Sequence, residues 1–215
     1  MKPKLLVWDW NGTLLNDMEL TYEIENTMLR ERGMAQIPSR DFYLSNFGFP
    51  IIDYYVKLGY DFNKYPYAEL AEEFHRLYSK SYRKCALREH TVETLAAIRS
   101  MEIPQTILSA SNQKRLIEQT DYYAVSTYFE DLLGLSDDYA HSKIQRAKAF
   151  ISMRQIKPKD VLFIGDTDHD YEVANEIGGN CVLLTGGHQG RNVLARCNVP
   201  VFDTLYEVLE YINCR

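Results

Sequence analysis

The sequence has few of the features that mark secreted, membrane-spanning or zinc-binding chains. Its four cysteines are scattered through 215 residues without CxxC spacing: Cys85, Cys181, Cys197 and Cys214. Reduced thiols are therefore expected rather than disulfides or a zinc site. No apolar run approaches the length that spans a bilayer, and the "MKPK" before the first apolar run is too short for a signal peptide. We expect a cytoplasmic protein without a membrane partner.

The sequence also lacks any run of five or more like charges, and its formal net charge is −6. This balance argues against nucleic acid or an anionic membrane as the main partner. There are no internal repeats or low-complexity tracts. Hydrophobic residues make up 46% and charged residues 25%, which is ordinary globular composition with enough apolar side chains for a core. We expect a monomer or a homodimer.

Short apolar segments alternate with helical patterns from residue 90 onward. The apolar segments have the length and composition of buried strands, and "LLVW" near the N-terminus is another: "QTILSA", "DVLFIG", "NCVLLT" and "VPVF". Such alternation is typical of a parallel sheet with helices on both faces. The predicted fold class is α/β, with a Rossmann-like parallel sheet.

Residues 15–87 have a different character. They contain amphipathic helical segments and many aromatic residues, and no convincing strand. We expect a helical insert, the cap domain, which leaves a core domain formed by residues 1–14 and 88–215 after its first strand. The hinges should lie near residues 14–17 and 86–90.

The polar residues of greatest interest follow strands, where open parallel sheets bind ligands. Asp9 ends "LLVW", Ser109 ends "QTIL" and Asp166 follows "VLFIG", whereas Lys143 lies in a loop that leads into a helix. Together "DWNGT" at 9–13, "ILSAS", "HSKIQRAKAF" and "GDTDHD" at 165–170 resemble, in order and spacing, the four motifs of the haloacid dehalogenase superfamily. The insert lies where that family carries its first type of cap, and the branch it resembles includes phosphoglycolate phosphatase and β-phosphoglucomutase.

The resemblance implies a Mg²⁺-dependent phosphatase that acts on a small phosphorylated metabolite. Asp9 would attack phosphorus and form an aspartyl-phosphate; alone, it would be interpreted as a turn cap. Ser109 and Lys143 would bind the transferring phosphoryl group, although a solvated lysine at a helix start is the alternative. Other residues expected to contact phosphate or substrate are Gly12, Thr13, Ala110 and Ser111, and Asn112 is a further candidate for the far end of the substrate.

Four residues are the expected metal ligands. Asp166 and Asp170 are four residues apart, a spacing that directs both carboxylates the same way, and oxygen ligands beside a phosphate suit Mg²⁺. The resemblance adds Asp9 and the backbone carbonyl of Asn11. Capping of the helix N-terminus is the alternative role for Asp166 and Asp170, and it applies to Asp168 as well. Asp168 and His169 are expected at the surface or behind the ligands.

Asn11 occupies the position at which the resembling phosphatases carry an aspartate as general acid and base. An amide can donate a hydrogen bond but cannot shuttle a proton, and such catalysis is worth about a hundred- to ten-thousandfold. We therefore expect a slow enzyme. One alternative is an activated leaving group, and another is a proton supplied by a different group such as His169, His188 or a cap residue.

Several other interpretations of Asn11 stay open. The protein could bind phosphorylated ligands without turnover, as an impaired or regulatory relative, and deamidation at Asn11-Gly12 could restore an aspartate. A dehalogenase also lacks the second acid, but the acid pair in "GDTDHD" favours a metal site. A phosphonatase would need a cap lysine, for which Lys57 is the candidate.

The loop "NFGFP" at 46–50 is the predicted specificity loop of the cap. If Phe47 or Phe49 faces the site, the substrate has an apolar or ring portion. The basic residues of the insert near this loop are Arg40 and Lys57, so a strongly anionic second group on the substrate is not expected.

Overall fold

A computed structural model of the chain describes residues 2–135 and 143–214. Its main sheet has six parallel strands in the order β5-β4-β1-β6-β7-β8. The strands are β1 (Leu5–Trp8), β4 (Gln105–Asn112), β5 (Asp131–Leu135), β6 (Val161–Gly165), β7 (Asn180–Leu184) and β8 (Val201–Phe202). The predicted α/β class with a parallel sheet is confirmed.

Both faces of the sheet are covered, as the continuous apolar strands require. In β1, Leu6 and Trp8 join the core on one face, while Leu5 and Val7 join the core on the other. The helices of this part of the chain are α5 (Thr91–Ser100), α6 (Gln113–Tyr122), α7 (Lys143–Arg154), α8 (Asp168–Ile177), α9 (Arg191–Leu194) and α10 (Leu205–Asn213). Within the described residues, none of the helices is long and apolar enough to cross a membrane.

Four helices within residues 15–87 build a separate aromatic core. They are α1 (Met18–Glu31), α2 (Arg40–Asn46), α3 (Ile51–Lys57) and α4 (Tyr67–Ser81). We call residues 15–87 the helical segment. It begins and ends with β2 (Leu15–Asn16) and β3 (Ala86–Leu87), which pair antiparallel. The expectation of no strand in this segment was wrong, because a two-residue strand is too short to show a period.

β4 is longer than its apolar run and irregular at its end. Between Leu108 and Asn112 the pairing advances four residues on β4 but only two on β5, from Leu133 to Leu135. The extra residues displace the stretch 109–111 from regular pairing, and such irregularities re-aim side chains at the edge of a site.

Candidate active site

Three carboxylates meet at the carboxyl end of the sheet. Asp9 follows β1, Asp166 follows the neighbouring strand β6, and Asp170 lies in the first turn of α8. Each offers an oxygen, and these oxygens lie within 4.8 Å of one another. The strand-end placement predicted from the sequence therefore brings all three acids together.

The ammonium group of Lys143 lies between two of these carboxylates. Its Nζ is 2.5 Å from Oδ1 of Asp9 and 2.6 Å from Oδ1 of Asp170, and the side chain is buried. Burial lowers the pKa of Lys143, but the charges of Asp170 and Asp9 outweigh it and raise the pKa above its ordinary value. Lys143 is the first residue of α7, so the prediction that it lies in a loop was wrong. The residues just before it lie outside the described residues.

The carboxylates are nevertheless only partly neutralised. Burial, opposed by Lys143, raises the pKa of Asp9 well above its ordinary value, and burial also raises the pKa of Asp166. One ammonium faces three buried carboxylates, so a divalent cation would fit the remaining charge and the all-oxygen donor set. Asp9, Asp166 and Asp170 fit as ligands; the carbonyl of Asn11 stays a predicted fourth.

Gly12 and Thr13 have contacts that the sequence did not predict. The hydroxyl of Thr13 donates to Oδ1 of Asp166 at 2.7 Å, and the backbone N–H of Gly12 donates to Oδ1 of Asp17 at 2.8 Å. Gly12 has a φ of +75°, and a Cβ there would lie 2.3 Å from Oδ2 of Asp166. Both residues therefore position carboxylates, whereas direct contact with phosphate was predicted.

The irregular end of β4 supplies polar groups beside Asp9. Ser109, Ala110 and Ser111 all line the cavity above the carboxylates, and the backbone N–H of Ser111 donates to Oγ of Ser109 at 3.0 Å. Asn112 does not line the cavity; its side chain caps α6 by accepting from the N–H of Lys114 at 3.0 Å. The suggested substrate contact of Asn112 is therefore replaced by a capping contact.

The Asn11 side chain is held on three sides. Its amide donates to Oδ2 of Asp17 at 2.6 Å and to the hydroxyl of Tyr78 at 2.7 Å, while its carbonyl accepts from the hydroxyl of Ser111 at 2.7 Å. The Asn11 amide is therefore hydrogen-bonded directly to a carboxylate. Tyr78 also donates to Oδ2 of Asp17, at 2.5 Å.

Asp17 is a buried carboxylate that sequence reasoning missed. It precedes α1 and resembles an ordinary helix-capping acid, but its side chain makes no capping hydrogen bond and lines the cavity instead. Burial raises its pKa, but hydrogen bonds from His188, Tyr78 and Asn11 outweigh burial and hold the pKa below its ordinary value. An acid a few residues after the first motif was the available signal.

Of the two histidines proposed as proton sources, His188 lies in the site. Its Nε2 is 3.4 Å from Oδ1 of Asp17, its Nδ1 is 2.7 Å from the hydroxyl of Tyr43, and its ring stacks on Phe47. Burial lowers its pKa, but Asp17 raises it overall to about 9. The imidazole is thus a cation at neutral pH.

His169 and Asp168 lie outside the cluster, as expected. His169 stacks on Phe49 with ring centroids 4.7 Å apart and pairs with Glu172 at 3.0 Å. Asp168 accepts a hydrogen bond from the side chain of Gln189 at 2.8 Å. Neither residue lines the cavity, so His169 has no path to the scissile bond.

A cavity of about 150 Å³ lies between the carboxylates and the helical segment. Phe47 and Phe49 both line it, as the specificity-loop prediction implied. Arg40 is instead paired with Glu19 at 2.5 Å, and Lys57 bonds to a backbone carbonyl at 3.4 Å. Neither of these two basic residues lines the cavity.

Two other basic side chains do line it: Arg115 from α6 and His75 from α4, which are 3.0 Å apart. The sequence-based search for basic residues considered only the neighbourhood of the loop 46–50. It missed this pair because α6 and α4 meet only in the folded chain.

The family model of the haloacid dehalogenase-like hydrolases matches residues 6–184. A phosphoglycolate phosphatase from Pseudomonas savastanoi pv. phaseolicola is 24% identical over 216 residues, which cover 96% of this chain and 79% of the relative. A phosphoglycolate phosphatase from Vibrio vulnificus is 23% identical, covering 97% of this chain and 96% of that protein. A solved hydrolase of the haloacid dehalogenase-like family from Streptococcus pneumoniae superposes with a TM-score of 0.83 at 18% identity, covering 97% of this chain and 98% of that one.

The fold and the carboxylate cluster define a hydrolase of the α/β class with its site at the carboxyl ends of parallel strands. The chain belongs to the haloacid dehalogenase-like hydrolases. Within that family it resembles phosphoglycolate phosphatases, so the resemblance inferred from the motifs is confirmed.

Proposed function

We propose that this protein is a Mg²⁺-dependent phosphatase that hydrolyses a small phosphorylated metabolite through an aspartyl-phosphate on Asp9. The observation that carries the proposal is the meeting of Asp9, Lys143, Asp166 and Asp170 at the floor of a cavity. Asp9 offers the nucleophile, Lys143 the positive charge, and the acids a metal site.

In the first half of the reaction, an Asp9 oxygen attacks phosphorus and the bond from phosphorus to the ester oxygen breaks. Lys143, 2.5 Å from Asp9, is placed to neutralise a phosphoryl oxygen, and the Ser109 hydroxyl to donate to another. Bound Mg²⁺ would supply further neutralisation of the phosphoryl charge, held by Asp9, Asp166, Asp170 and the Asn11 carbonyl. Water then attacks the aspartyl-phosphate, which releases inorganic phosphate and regenerates Asp9.

The second half of the reaction is where Asn11 matters. Its amide donates to Asp17 and Tyr78, so it orients groups but transfers no proton. The rate of dephosphorylation should therefore be low, and substrates with good leaving groups should react best in the first half.

In this proposal, residues 15–87 form a cap domain over a core domain of residues 1–14 and 88–215. The cavity between them supports the division, because the helical segment and the carboxylate end of the sheet both line it. Substrate entry would require the cap to move about the short β2 and β3 strands.

The test is phosphate release from p-nitrophenyl phosphate and acetyl phosphate with Mg²⁺, comparing the wild type with Asp9→Asn. We expect Mg²⁺-dependent release in the wild type that falls to background in the variant, and a phosphorylated peptide containing Asp9 in acid-quenched samples. Equal rates in the two proteins on both substrates would overturn the phosphatase proposal.

The alternative is a protein that binds phosphorylated ligands without turnover. The fully engaged Asn11 side chain favours it, since no proton-transferring group occupies that position. It predicts that a phosphorylated ligand binds to wild type, measured by calorimetry, while neither substrate releases phosphate.

A further inference from the structure

α1 and the residue before it present a row of buried polar side chains to the cavity. Asp17, Thr21 and Glu25 are spaced four residues apart, are 1%, 5% and 3% exposed, and all line the cavity. Side chains at this spacing share one face of a helix. Eight residues of helix rise about 12 Å, so Glu25 lies about two turns along α1 from Asp17.

Glu25 is a carboxyl group that nothing in the proposed phosphoryl chemistry uses. Its hydrogen-bond partner among the described residues is the hydroxyl of Tyr54, which donates to Oε2 at 2.9 Å. Burial raises the pKa of Glu25 to about 8, although the Tyr54 hydrogen bond and the charge of His188 lower it. Burial therefore outweighs the charge of His188, and the Glu25 carboxylate is incompletely compensated.

Aromatic side chains line the cavity that Glu25 also lines: Tyr55, Tyr67, Phe74, Phe47 and Phe49. Tyr54, which donates to Glu25, has its ring centroid 6.2 Å from that of Tyr55. The Tyr55 and Tyr67 rings meet edge to face with centroids 6.0 Å apart. Aromatic faces attract organic cations, and such rings together with a carboxylate are a site for an ammonium group.

The group that would hold the phosphate lies at the floor of the cavity. Nζ of Lys143 is 2.5 Å from Oδ1 of Asp9 there, whereas Glu25 belongs to α1 of the helical segment. Both residues line the same cavity, so a substrate whose phosphate binds at Lys143 can direct a second group to Glu25.

From this arrangement we propose that Glu25 and the rings of the cavity bind an ammonium group, and that the substrate is a phosphate monoester of an amino alcohol. The proposal rests on the phosphatase function above and names its substrate class. Binding would place the phosphate at Asp9 and Lys143 and the ammonium at Glu25, where its charge favours the ionised carboxylate over the protonated one. A hydrogen bond between charged groups is worth about 1.5–3 kcal/mol, which corresponds to roughly ten- to a hundredfold in affinity.

The test compares ω-aminoalkyl phosphates of two to five carbons with alkyl and ω-hydroxyalkyl phosphates of matched length. We expect kcat/KM for at least one aminoalkyl phosphate to exceed both matched compounds by about tenfold or more. Equal values for all three at every length would overturn the proposal. A preference for the hydroxyl compounds would do so too, since it would make Glu25 a site for a neutral polar group.

The variant that tests the residue is Glu25→Gln, which keeps the shape and removes the charge. The ratio of kcat/KM for the aminoalkyl phosphate to that for the alkyl phosphate should fall toward one, and a ratio is insensitive to a general loss of folded enzyme. Glu23→Gln, an exposed position on the same helix, is the matched control and should keep the wild-type ratio. An unchanged ratio in Glu25→Gln would show that another group selects the substrate.

Failure of the substrate proposal can be separated from failure of the phosphatase proposal. If p-nitrophenyl phosphate and acetyl phosphate are not hydrolysed, aminoalkyl and alkyl phosphates of matched length are titrated into Asp9→Asn by calorimetry. Tighter binding of the aminoalkyl phosphate then supports the ammonium site even though the phosphatase proposal has failed. Equal binding overturns it.

Discussion

The Asn11 side chain and the Asp17 carboxylate form a hydrogen-bonded pair in which the amide donates and the carboxylate accepts. The Asn11 amide is 2.6 Å from Oδ2 of Asp17, so a carboxylate at position 11 would face another at hydrogen-bond distance. Two buried carboxylates this close cannot both ionise readily. The effect of an acid introduced at position 11 therefore depends on the residue at position 17.

We predict that Asn11→Asp alone is less stable than the wild type and gains little activity. The double variant Asn11→Asp with Asp17→Asn exchanges the two groups and should release phosphate from the aspartyl-enzyme about a hundredfold or more faster than the wild type. Rapid-quench measurement of Asp9 dephosphorylation checks this. Asp17→Asn alone is the control, and a large gain in the Asn11→Asp single variant would contradict the pairing.

A second prediction at the scale of single residues concerns how the unfolding free energy depends on pH. The pKa of Glu25 is about 8 in the folded protein and near 4.5 when unfolded, so the folded state retains a proton that the unfolded state loses. Protonated Glu25 therefore makes its full contribution to the unfolding free energy below pH 4.5. This contribution is lost as pH rises through 8.

Urea denaturation between pH 5 and 9 measures this contribution. In Glu25→Gln the unfolding free energy should fall less with pH across that range. In Glu23→Gln the slope of unfolding free energy against pH should equal that of the wild type. A slope that is identical in the wild type and Glu25→Gln would show that the Glu25 carboxyl titrates normally.

At the scale of elements, the parts that could be predicted are those that depend on local sequence. The strands β1, β6 and β7 are runs of buried apolar residues, and the acids that follow β1 and β6 meet because parallel strands end at one edge. The same reasoning brought Ser109 to the site, whereas the resemblance brought Lys143 there. Neither step needs knowledge of how the helical segment packs.

The residues that were missed depend on packing between distant elements. Tyr78 reaches Asn11 across 67 positions of sequence, and Tyr43 reaches His188 across 145. Nothing in the local pattern of α4 distinguishes Tyr78 from the other aromatic residues of the helical segment, because core tyrosines and site tyrosines have the same helical spacing. The polar lining contributed by the helical segment was therefore not predictable.

Tyr78 joins α4 to the loop after β1, and we predict that Tyr78→Phe weakens this connection. It removes the donor to Asp17 and the acceptor of Asn11, which leaves a buried charge with one fewer hydrogen bond. The cost should be about 1–3 kcal/mol in unfolding free energy, measured by chemical denaturation, with lower kcat as Asn11 loses its orientation.

Tyr82→Phe is the matched control for this connection. Tyr82 is another buried tyrosine at the end of the same helix, but its hydroxyl bonds only to the neighbouring Arg83, at 3.3 Å, among the contacts described. We expect its substitution to change unfolding free energy by less than that of Tyr78. Equal losses in the two variants would show that the Tyr78 hydroxyl has no special part in holding α4 to the site.

At the scale of the whole molecule, the sheet and the helical segment both line a cavity that contains several charged side chains. Its floor holds Asp9, Asp166 and Asp170 against the single ammonium of Lys143, and this excess of negative charge opposes folding. A bound divalent cation would relieve the repulsion, so metal binding and stability should be coupled.

We therefore predict that Mg²⁺ raises the thermal midpoint of the wild type and that a chelator reverses the rise together with activity. Asp166→Asn should raise the midpoint in metal-free buffer, because it removes a buried charge whose pKa is already elevated, and should abolish the response to Mg²⁺. Asp168→Asn, two residues further along and outside the cluster, should respond as the wild type does. A Mg²⁺ response that persists in Asp166→Asn would place the metal elsewhere, whereas its absence from the wild type would leave Lys143 as the main cation of the site.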